Sequence, residues 1–126
     1  MTKQILIVDD EERIRELVQA CLEDLGGWET ITTSSGEKCL KIVQQEKFDA
    51  ILLDVSMPGM DGFAVFQQLQ ANPIAQSIPV ILLTARVLPS DRDRFTKMGV
   101  AGVIAKPIEP MTLTTEIIEI LGWEES

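Results

Sequence analysis

The sequence predicts an α/β fold, a three-layer sandwich in which a parallel sheet of five strands lies between two layers of helices. Short apolar runs such as Ile5 to Val8 and Ala50 to Leu53 show no polar alternation, which is typical of strands buried on both faces of a parallel sheet. Segments with helical spacing of apolar residues separate these runs, and the connections are short. Parallel strands joined by right-handed crossovers need helices on both faces, which gives the three layers.

The first strand, helix and second strand are expected between residues 5 and 33. The strand Ile5 to Val8 ends in Asp9 and Asp10. A helix is predicted from Glu12 to the glycines at 26–27, because apolar residues there recur at helical spacing. Trp28 to Thr33 is rich in β-branched residues and predicts a weaker strand. The apolar face of the helix consists of Ile14, Leu17, Val18, Cys21, Leu22 and Leu25.

The middle of the chain predicts a helix, a strand and a second helix. Ser34 and Glu37 form the Ser-x-x-Glu pattern of a capping box, so a helix is expected to begin there and to end near Glu46. The next strand is expected from Phe48 to Asp54. The helix after it is expected from Asp61 to Leu69, because Asn72-Pro73 cannot continue it.

The last part of the chain repeats this alternation. Thr84 directly follows one buried strand, and Lys106 directly follows another. Pro110 is expected to be the first residue of the closing helix, a position that favours proline. The predicted elements here are a strand over Val80 to Leu83, a helix from about Ser90 to Met98 that closes at Gly99, and a strand over Gly102 to Ala105.

The composition excludes several classes of function. The chain has no His, which excludes Ser-His and Cys-His nucleophilic chemistry and metal sites that need imidazole. The net charge of −9, from 20 acidic and 11 basic residues, argues against nucleic acid or an anionic membrane as the direct ligand. Cys21 and Cys39 fall within helical patterns and are interpreted as small core or flank residues of a reducing compartment, with a disulfide as the alternative. Without an apolar leader or a long apolar span, a cytoplasmic location is expected.

Polar residues follow four of the five predicted strands, at the points where the strands end. They are Asp9, Asp10, Asp54, Thr84 and Lys106. In a flavodoxin-like sheet of order 2-1-3-4-5, the first and third strands flank the switch point, and ligands bind outside the carboxyl ends of the strands. Each of these residues taken alone could serve a turn, a helix start or solvation. Their coincidence at four strand ends favours a shared functional site.

Three carboxylates at one edge of a sheet predict a bound cation. At a separation of about 4 Å and an effective dielectric constant near 20, each close pair of carboxylates repels by roughly 4 kcal/mol. Oxygen ligands suit a hard cation such as Mg²⁺, which with Lys106 brings the site close to neutrality. Asp10 and Asp54 are the expected direct ligands, with Asp9 binding directly or through water. The backbone carbonyl of Ser56 is a further candidate ligand.

Thr84 and Lys106 suit a phosphoryl group on Asp54. A carboxylate can attack phosphorus and form an acyl phosphate. The Thr84 hydroxyl and the Lys106 ammonium are the kinds of donor that bind phosphoryl oxygens.

These residues resemble the receiver domain of two-component response regulators, of the chemotaxis-regulator type, over essentially the whole chain. The matching pieces are Ile7-Val8-Asp9-Asp10, Leu53-Asp54-Val55-Ser56-Met57-Pro58-Gly59-Met60-Asp61-Gly62, Leu83-Thr84-Ala85 and Lys106-Pro107. The resemblance implies that residues 1–126 form a single receiver domain and that Asp54 accepts a phosphoryl group from a phosphohistidine of a sensor kinase or phosphotransfer protein. It further implies that Asp9 and Asp10 hold Mg²⁺, that Thr84 and Lys106 bind the phosphoryl group, and that the Lys106-Pro107 peptide is cis.

The resemblance also implies an output surface made by the fourth helix, the last strand and the last helix, which would bind a downstream protein. One position departs from the family pattern, and two further positions are expected to affect the phosphoryl group. The position three residues before Lys106, often aromatic in the family, is Val103, so coupling from Thr84 is expected to run through the backbone. Ser56 and Arg86 line the approach to the phosphoryl group in the family and are expected to affect its lifetime.

The expected protein is a stand-alone signalling module, not an enzyme with a separate substrate, and a monomer or weak dimer. One alternative is a Mg²⁺-dependent phosphatase of the haloacid-dehalogenase type, but Ser56 stands where that chemistry needs a second Asp. Another is a flavodoxin-like electron carrier, which the acidic loop from Asp9 to Glu12 disfavours because a flavin phosphate needs backbone NH groups and hydroxyls.

Overall fold

Five parallel strands form one sheet in the order β2-β1-β3-β4-β5. The structure is a computed structural model and describes residues 2–55, 61–85 and 88–124. The predicted α/β sandwich and its 2-1-3-4-5 strand order are confirmed. In chain order the elements are β1 Gln4–Val8, α1 Glu12–Asp24, β2 Glu29–Thr33, α2 Gly36–Gln45, β3 Ala50–Asp54, α3 Gly62–Ala71, β4 Val80–Thr84, α4 Pro89–Met98, β5 Gly102–Ala105 and α5 Leu113–Leu121.

Both faces of the sheet are buried, which explains why the central strands show no polar alternation. Successive residues of β3 point to opposite faces: Ile51 and Leu53 belong to one apolar cluster, while Ala50 and Leu52 belong to the other. Helices α2, α3 and α4 cover the first face, and α1 and α5 cover the second. All five positions of β3 and of β4 are buried, including Asp54 and Thr84 at their carboxyl ends.

The structure corrects three of the predicted boundaries. Ser35, not Ser34, caps α2, because its hydroxyl accepts a hydrogen bond from the Lys38 backbone NH at 3.1 Å. The closing helix begins at Leu113, not at Pro110, because a separate turn comes first in which the Glu109 carbonyl accepts from residues 112 and 113. Leu25 lies beyond the end of α1 and is 55% exposed, so it does not belong to the buried helix face.

Other expectations are confirmed. The Lys106-Pro107 peptide is cis, and Gly99 closes α4 in the left-handed conformation with φ +102°. Cys21 and Cys39 are buried free thiols, and burial raises the pKa of the Cys39 thiol to about 12. Within the described ranges, none of the helices has the length and hydropathy needed to cross a bilayer.

Candidate functional site

The predicted polar residues meet at the carboxyl edge of the sheet. Asp54 is the last residue of β3 and Thr84 is the last residue of β4, while Asp9 and Lys106 directly follow β1 and β5. Because β1 and β3 are paired neighbours, Asp9 and Asp10 lie beside Asp54. One carboxylate oxygen from each of these three residues lies within 4.8 Å of the other two. Two of the carboxylates are almost inaccessible, since Asp9 is 0% and Asp54 3% exposed, whereas Asp10 is exposed.

Lys106 is the cation of this cluster. Its Nζ lies 3.0 Å from Asp9 Oδ2, 3.3 Å from Asp54 Oδ1 and 3.8 Å from Glu11 Oε1. Burial by itself would lower the pKa of the Lys106 ammonium, but the hydrogen bond and charge of Asp9, together with those of Asp54, outweigh it and raise the pKa above its ordinary 10.5. Lys106 is therefore a permanent positive charge at the site at physiological pH.

Asp9 is held by contacts on all its polar groups. Its Oδ1 accepts a hydrogen bond from the Glu11 backbone NH at 2.9 Å, and its backbone NH donates to the Thr33 carbonyl at 3.2 Å. The backbone carbonyl of Asp9 accepts from Arg15 Nη1 at 2.7 Å. Its Oδ2 is buried and faces Lys106, and among the described residues it has that ion pair but no well-aligned hydrogen bond.

The donor set fits Mg²⁺. Among the described residues the candidate ligand atoms are carboxylate oxygens, which a hard divalent cation prefers, and the three acids exceed the single lysine in charge. Two oxygens bound to the same Mg²⁺ lie roughly 3 to 4 Å apart, so small movements within the 4.8 Å cluster would suffice. In the described part of the chain, the buried Asp9 Oδ2 contacts Lys106 without a well-aligned hydrogen bond, so this oxygen can still accept a cation directly or through water.

Thr84 lies at the same edge and is buried, with 2% of its surface exposed. Its strand neighbour Leu83 pairs with Asp54, and its backbone carbonyl accepts a hydrogen bond from the Lys106 backbone NH at 2.9 Å. The two predicted phosphoryl contacts are therefore linked directly through the main chain. Ser56 and Arg86 lie outside the described residues, so the Ser56 carbonyl ligand and the effect of Arg86 stay predictions.

Val103, at the position often aromatic in the family, is half-buried and packs against the apolar cluster on the α2–α3–α4 face. It pairs with Leu82 of β4, so its main chain is tied to the strand that ends in Thr84.

Two residues at the site were not among the sequence candidates. Glu11 approaches Lys106, and Arg15 holds the Asp9 carbonyl. Glu11 directly follows the acidic pair, and its closeness to the site could have been inferred from that position. Arg15 bonds to a main-chain carbonyl, and such a contact leaves no pattern in the sequence.

The chain is similar to receiver domains in both sequence and structure. The model of the response regulator receiver domain family matches residues 5–118. The alkaline phosphatase synthesis transcriptional regulatory protein PhoP of Bacillus subtilis is 38% identical over 125 residues, which is 99% of this chain and 51% of that protein. This chain thus spans about half the length of the first curated relatives that it matches.

Two solved structures extend the likeness. The chemotaxis response regulator CheY4 of Vibrio cholerae is 30% identical with a TM-score of 0.88, over 95% of this chain and 99% of that one. The receiver domain of the sensor histidine kinase PA1611 from Pseudomonas aeruginosa PAO1 is 26% identical with a TM-score of 0.83, over 97% of this chain and 99% of that one. That domain was solved with a magnesium ion coordinated in its active site cleft.

Proposed function

The chain belongs to the response regulator receiver domain family, and from that membership we propose that Asp54 accepts a phosphoryl group from a phosphohistidine of a sensor kinase or phosphotransfer protein. The observation that carries the proposal is the position of Asp54. Its carboxylate is buried at the end of a central strand, 3.3 Å from Lys106 and clustered with Asp9 and Asp10. A carboxylate in that position can act as a nucleophile toward phosphorus.

In the transfer, an Asp54 oxygen forms a bond to phosphorus while the bond from phosphorus to the donor imidazole nitrogen breaks. The electron pair of the broken bond stays on the imidazole. Lys106 lies close enough to Asp54 to contact an oxygen of the phosphoryl group, and we assign the Thr84 hydroxyl to a second oxygen. In hydrolysis, a water oxygen forms a bond to phosphorus, the bond from phosphorus to the Asp54 oxygen breaks, and inorganic phosphate leaves while Asp54 returns to a carboxylate. The domain thus acts as a signalling module that catalyses its own phosphorylation and dephosphorylation.

The same proposal includes Mg²⁺ at the acidic cluster, with Asp10 and Asp54 as direct ligands and Asp9 binding directly or through water. Bound there, Mg²⁺ would neutralise charge on the phosphoryl oxygens. Support comes from the oxygen-only donor set and from the magnesium ion in the related PA1611 receiver domain. The backbone carbonyl of Ser56 completes the proposed ligand set. We propose that this chemistry takes place in the cytoplasm.

The signal is proposed to leave through the face formed by α4, β5 and α5. Phosphorylation adds a charge of about −1.5 to −2 at Asp54, and both proposed contacts, Thr84 and Lys106, adjoin that face through β4 and β5. The face carries a groove of about 440 Å³ whose lining includes Arg92, Val103 and Ile120. We propose a downstream protein as its occupant. The stand-alone character of the module and its monomeric or weakly dimeric state stay predictions.

Intact-mass measurement after incubation with phosphoramidate and Mg²⁺ tests the proposal. We expect the wild type to gain one phosphoryl group and Asp54→Asn to gain none. Asp24→Asn is the matched control, because Asp24 is an exposed acid at the far end of α1 and should leave phosphorylation unchanged. Equal gain in wild type and Asp54→Asn would reject the proposal. Multiple turnover of p-nitrophenyl phosphate would favour a phosphatase instead.

A further inference from the structure

At the acidic edge of the sheet, Arg15 forms a hydrogen bond with a backbone carbonyl and not with a carboxylate. It lies on the half-buried side of α1, and its Nη1 donates to the backbone carbonyl of Asp9 at 2.7 Å. Across the described ranges, the ion pairs at this edge all belong to Lys106, and Arg15 has no carboxylate within 4.0 Å. The Arg15 guanidinium thus binds a neutral main-chain oxygen and not a carboxylate.

That carbonyl belongs to the peptide that joins Asp9 to Asp10. Since the peptide group is planar, fixing its oxygen also fixes its NH and restricts the direction in which the chain enters Asp10. The other side of Asp9 is already tied down, because its NH bonds to the Thr33 carbonyl in β2. Among the described contacts the Asp9 carbonyl has no other hydrogen-bond donor, so removing Arg15 removes the one described hydrogen bond that holds this oxygen.

We propose that Arg15 is a positioning residue for the cation site: by holding the Asp9–Asp10 peptide it keeps the exposed Asp10 carboxylate in the cluster with Asp54. This inference rests on the proposed function, since Asp10 matters through the cation that it helps to hold. Groups that orient metal ligands typically affect metal affinity by 10- to 100-fold. Arg15 would orient Asp10 by holding the main chain between Asp9 and Asp10.

The sign of the effect separates positioning from simple electrostatics. A guanidinium repels a divalent cation, so if Arg15 acted only through its charge, removing it would strengthen Mg²⁺ binding. If Arg15 acts by holding the Asp9 carbonyl, removing it weakens Mg²⁺ binding. The two roles therefore predict opposite changes.

Titration calorimetry with Mg²⁺ on the full chain measures this difference. We expect Arg15→Met, which keeps an aliphatic stem but loses the donor and the charge, to weaken Mg²⁺ affinity about tenfold. Arg13→Met is the matched control: Arg13 is exposed on the same helix, and within the described ranges no hydrogen bond or ion pair joins it to the site. Its loss should leave Mg²⁺ affinity unchanged or slightly stronger. Arg15→Lys, which retains one charged donor, should restore part of the affinity.

Circular dichroism in EDTA establishes that each variant is folded at the temperature of the titration. Should Arg15→Met fail to fold, Arg15→Lys carries the test, with a smaller loss of affinity expected than for Arg15→Met. Affinity equal to or stronger than that of the wild type in both Arg15 variants would overturn the inference. Normal Mg²⁺ binding without phosphorylation of the wild type would instead reject the proposed function while leaving the role of Arg15 in place.

Discussion

At the residue scale, Lys106 links the acids at the sheet edge. It contacts Asp9, Asp54 and Glu11. Burial would lower the pKa of Lys106, but the contacts with Asp9 and Asp54 outweigh burial and raise it. Asp9 is completely buried, and a buried carboxylate is tolerated only with a counter-charge. Lys106 therefore stabilises the folded chain as well as serving the proposed chemistry.

Lys106→Met should lower the free energy of unfolding by about 3 kcal/mol at pH 8 in EDTA, because it leaves buried Asp9 without its cation. The pKa of Lys106 is higher in the folded than in the unfolded chain, so its contribution is fully present below pH 10.5 and is lost as the pH rises through the folded-state value. The difference between wild type and Lys106→Met should therefore shrink above pH 10.5. Urea titrations from pH 8 to 11.5 would measure it.

Comparing wild type with Lys106→Met cancels the effects on stability of other groups that titrate at alkaline pH. Cys39 lowers stability from about pH 9 upward, because its thiol ionises in the unfolded chain at its ordinary pKa of 9.0 but only near 12 when folded. This affects wild type and Lys106→Met equally. The chain has no Tyr to titrate in the same range. A stability difference that stays constant to pH 11.5 would show that Lys106 is not the group responsible.

The members of this site could be predicted because each lies at the end of a strand or just after it. A buried strand ends at the edge of the sheet, so a polar residue directly after an apolar run is expected at that edge. This reasoning predicted the positions of Asp54, Thr84 and Lys106 correctly. Arg15 could not be predicted in the same way. Its partner is a backbone carbonyl, and every residue carries one, so residue type gives no information about the contact.

At the element scale, the strands were predicted more accurately than the helix ends. The apolar runs of β1, β3 and β4 are long enough to identify them without ambiguity. Helix starts depend on which of several neighbouring groups makes the first hydrogen bond. Ser34 and Ser35 are equivalent as residue types, and only the fold decides that Ser35 reaches the Lys38 NH.

The junction of β3 and α3 depends on Gly62. Its NH donates to the Val55 carbonyl at 3.0 Å, which brings the start of α3 against the end of β3. A Cβ at this position would lie against the Asp54 carbonyl oxygen and 2.6 Å from the Val55 Cα. Both are backbone atoms that no change of rotamer can move. The close approach sits directly beside the proposed phospho-acceptor.

Gly62→Ala should therefore destabilise the chain by about 3 kcal/mol through overpacking, although alanine is the better helix former. Gly27→Ala is the control: Gly27 has φ +68°, so alanine is strained there, but its Cβ would meet no atom within 4 Å. Backbone strain of that kind amounts to about 1 to 2 kcal/mol. Chemical denaturation would compare the two variants, and a Gly62→Ala variant as stable as Gly27→Ala would contradict the close approach.

At the scale of the whole molecule, the acidic site and the two tryptophans lie at opposite edges of the sheet. Trp28 precedes β2 and Trp123 follows α5, so both lie toward the amino ends of the strands. Their rings form an edge-to-face pair with centroids 5.4 Å apart, and Lys3 Nζ lies 4.7 Å from the Trp123 ring centroid. Tryptophan emission therefore reports on the folding of the whole chain without direct influence from the acidic cluster.

This separation allows a test of the cation site that is independent of phosphorylation. Mg²⁺ at about 100 times its dissociation constant should raise the free energy of unfolding by roughly 2.7 kcal/mol, if the unfolded chain does not bind it. Followed by tryptophan emission, the urea midpoint should rise while the emission of the folded protein changes little. A large spectral change on adding Mg²⁺ without urea would contradict the distance between the two regions.

Asp10→Asn should reverse the order of stabilities between the two conditions. In EDTA it removes one of three mutually repelling carboxylates, and Asp10 is the exposed one without an ion pair to Lys106. The variant should then exceed the wild type by about 1 kcal/mol, a value reduced by the solvent exposure of Asp10. In Mg²⁺ the wild type should be the more stable protein, because the variant lacks a direct ligand. If Asp10→Asn is less stable than the wild type in EDTA as well, the cation does not stabilise the chain by relieving repulsion among the three carboxylates.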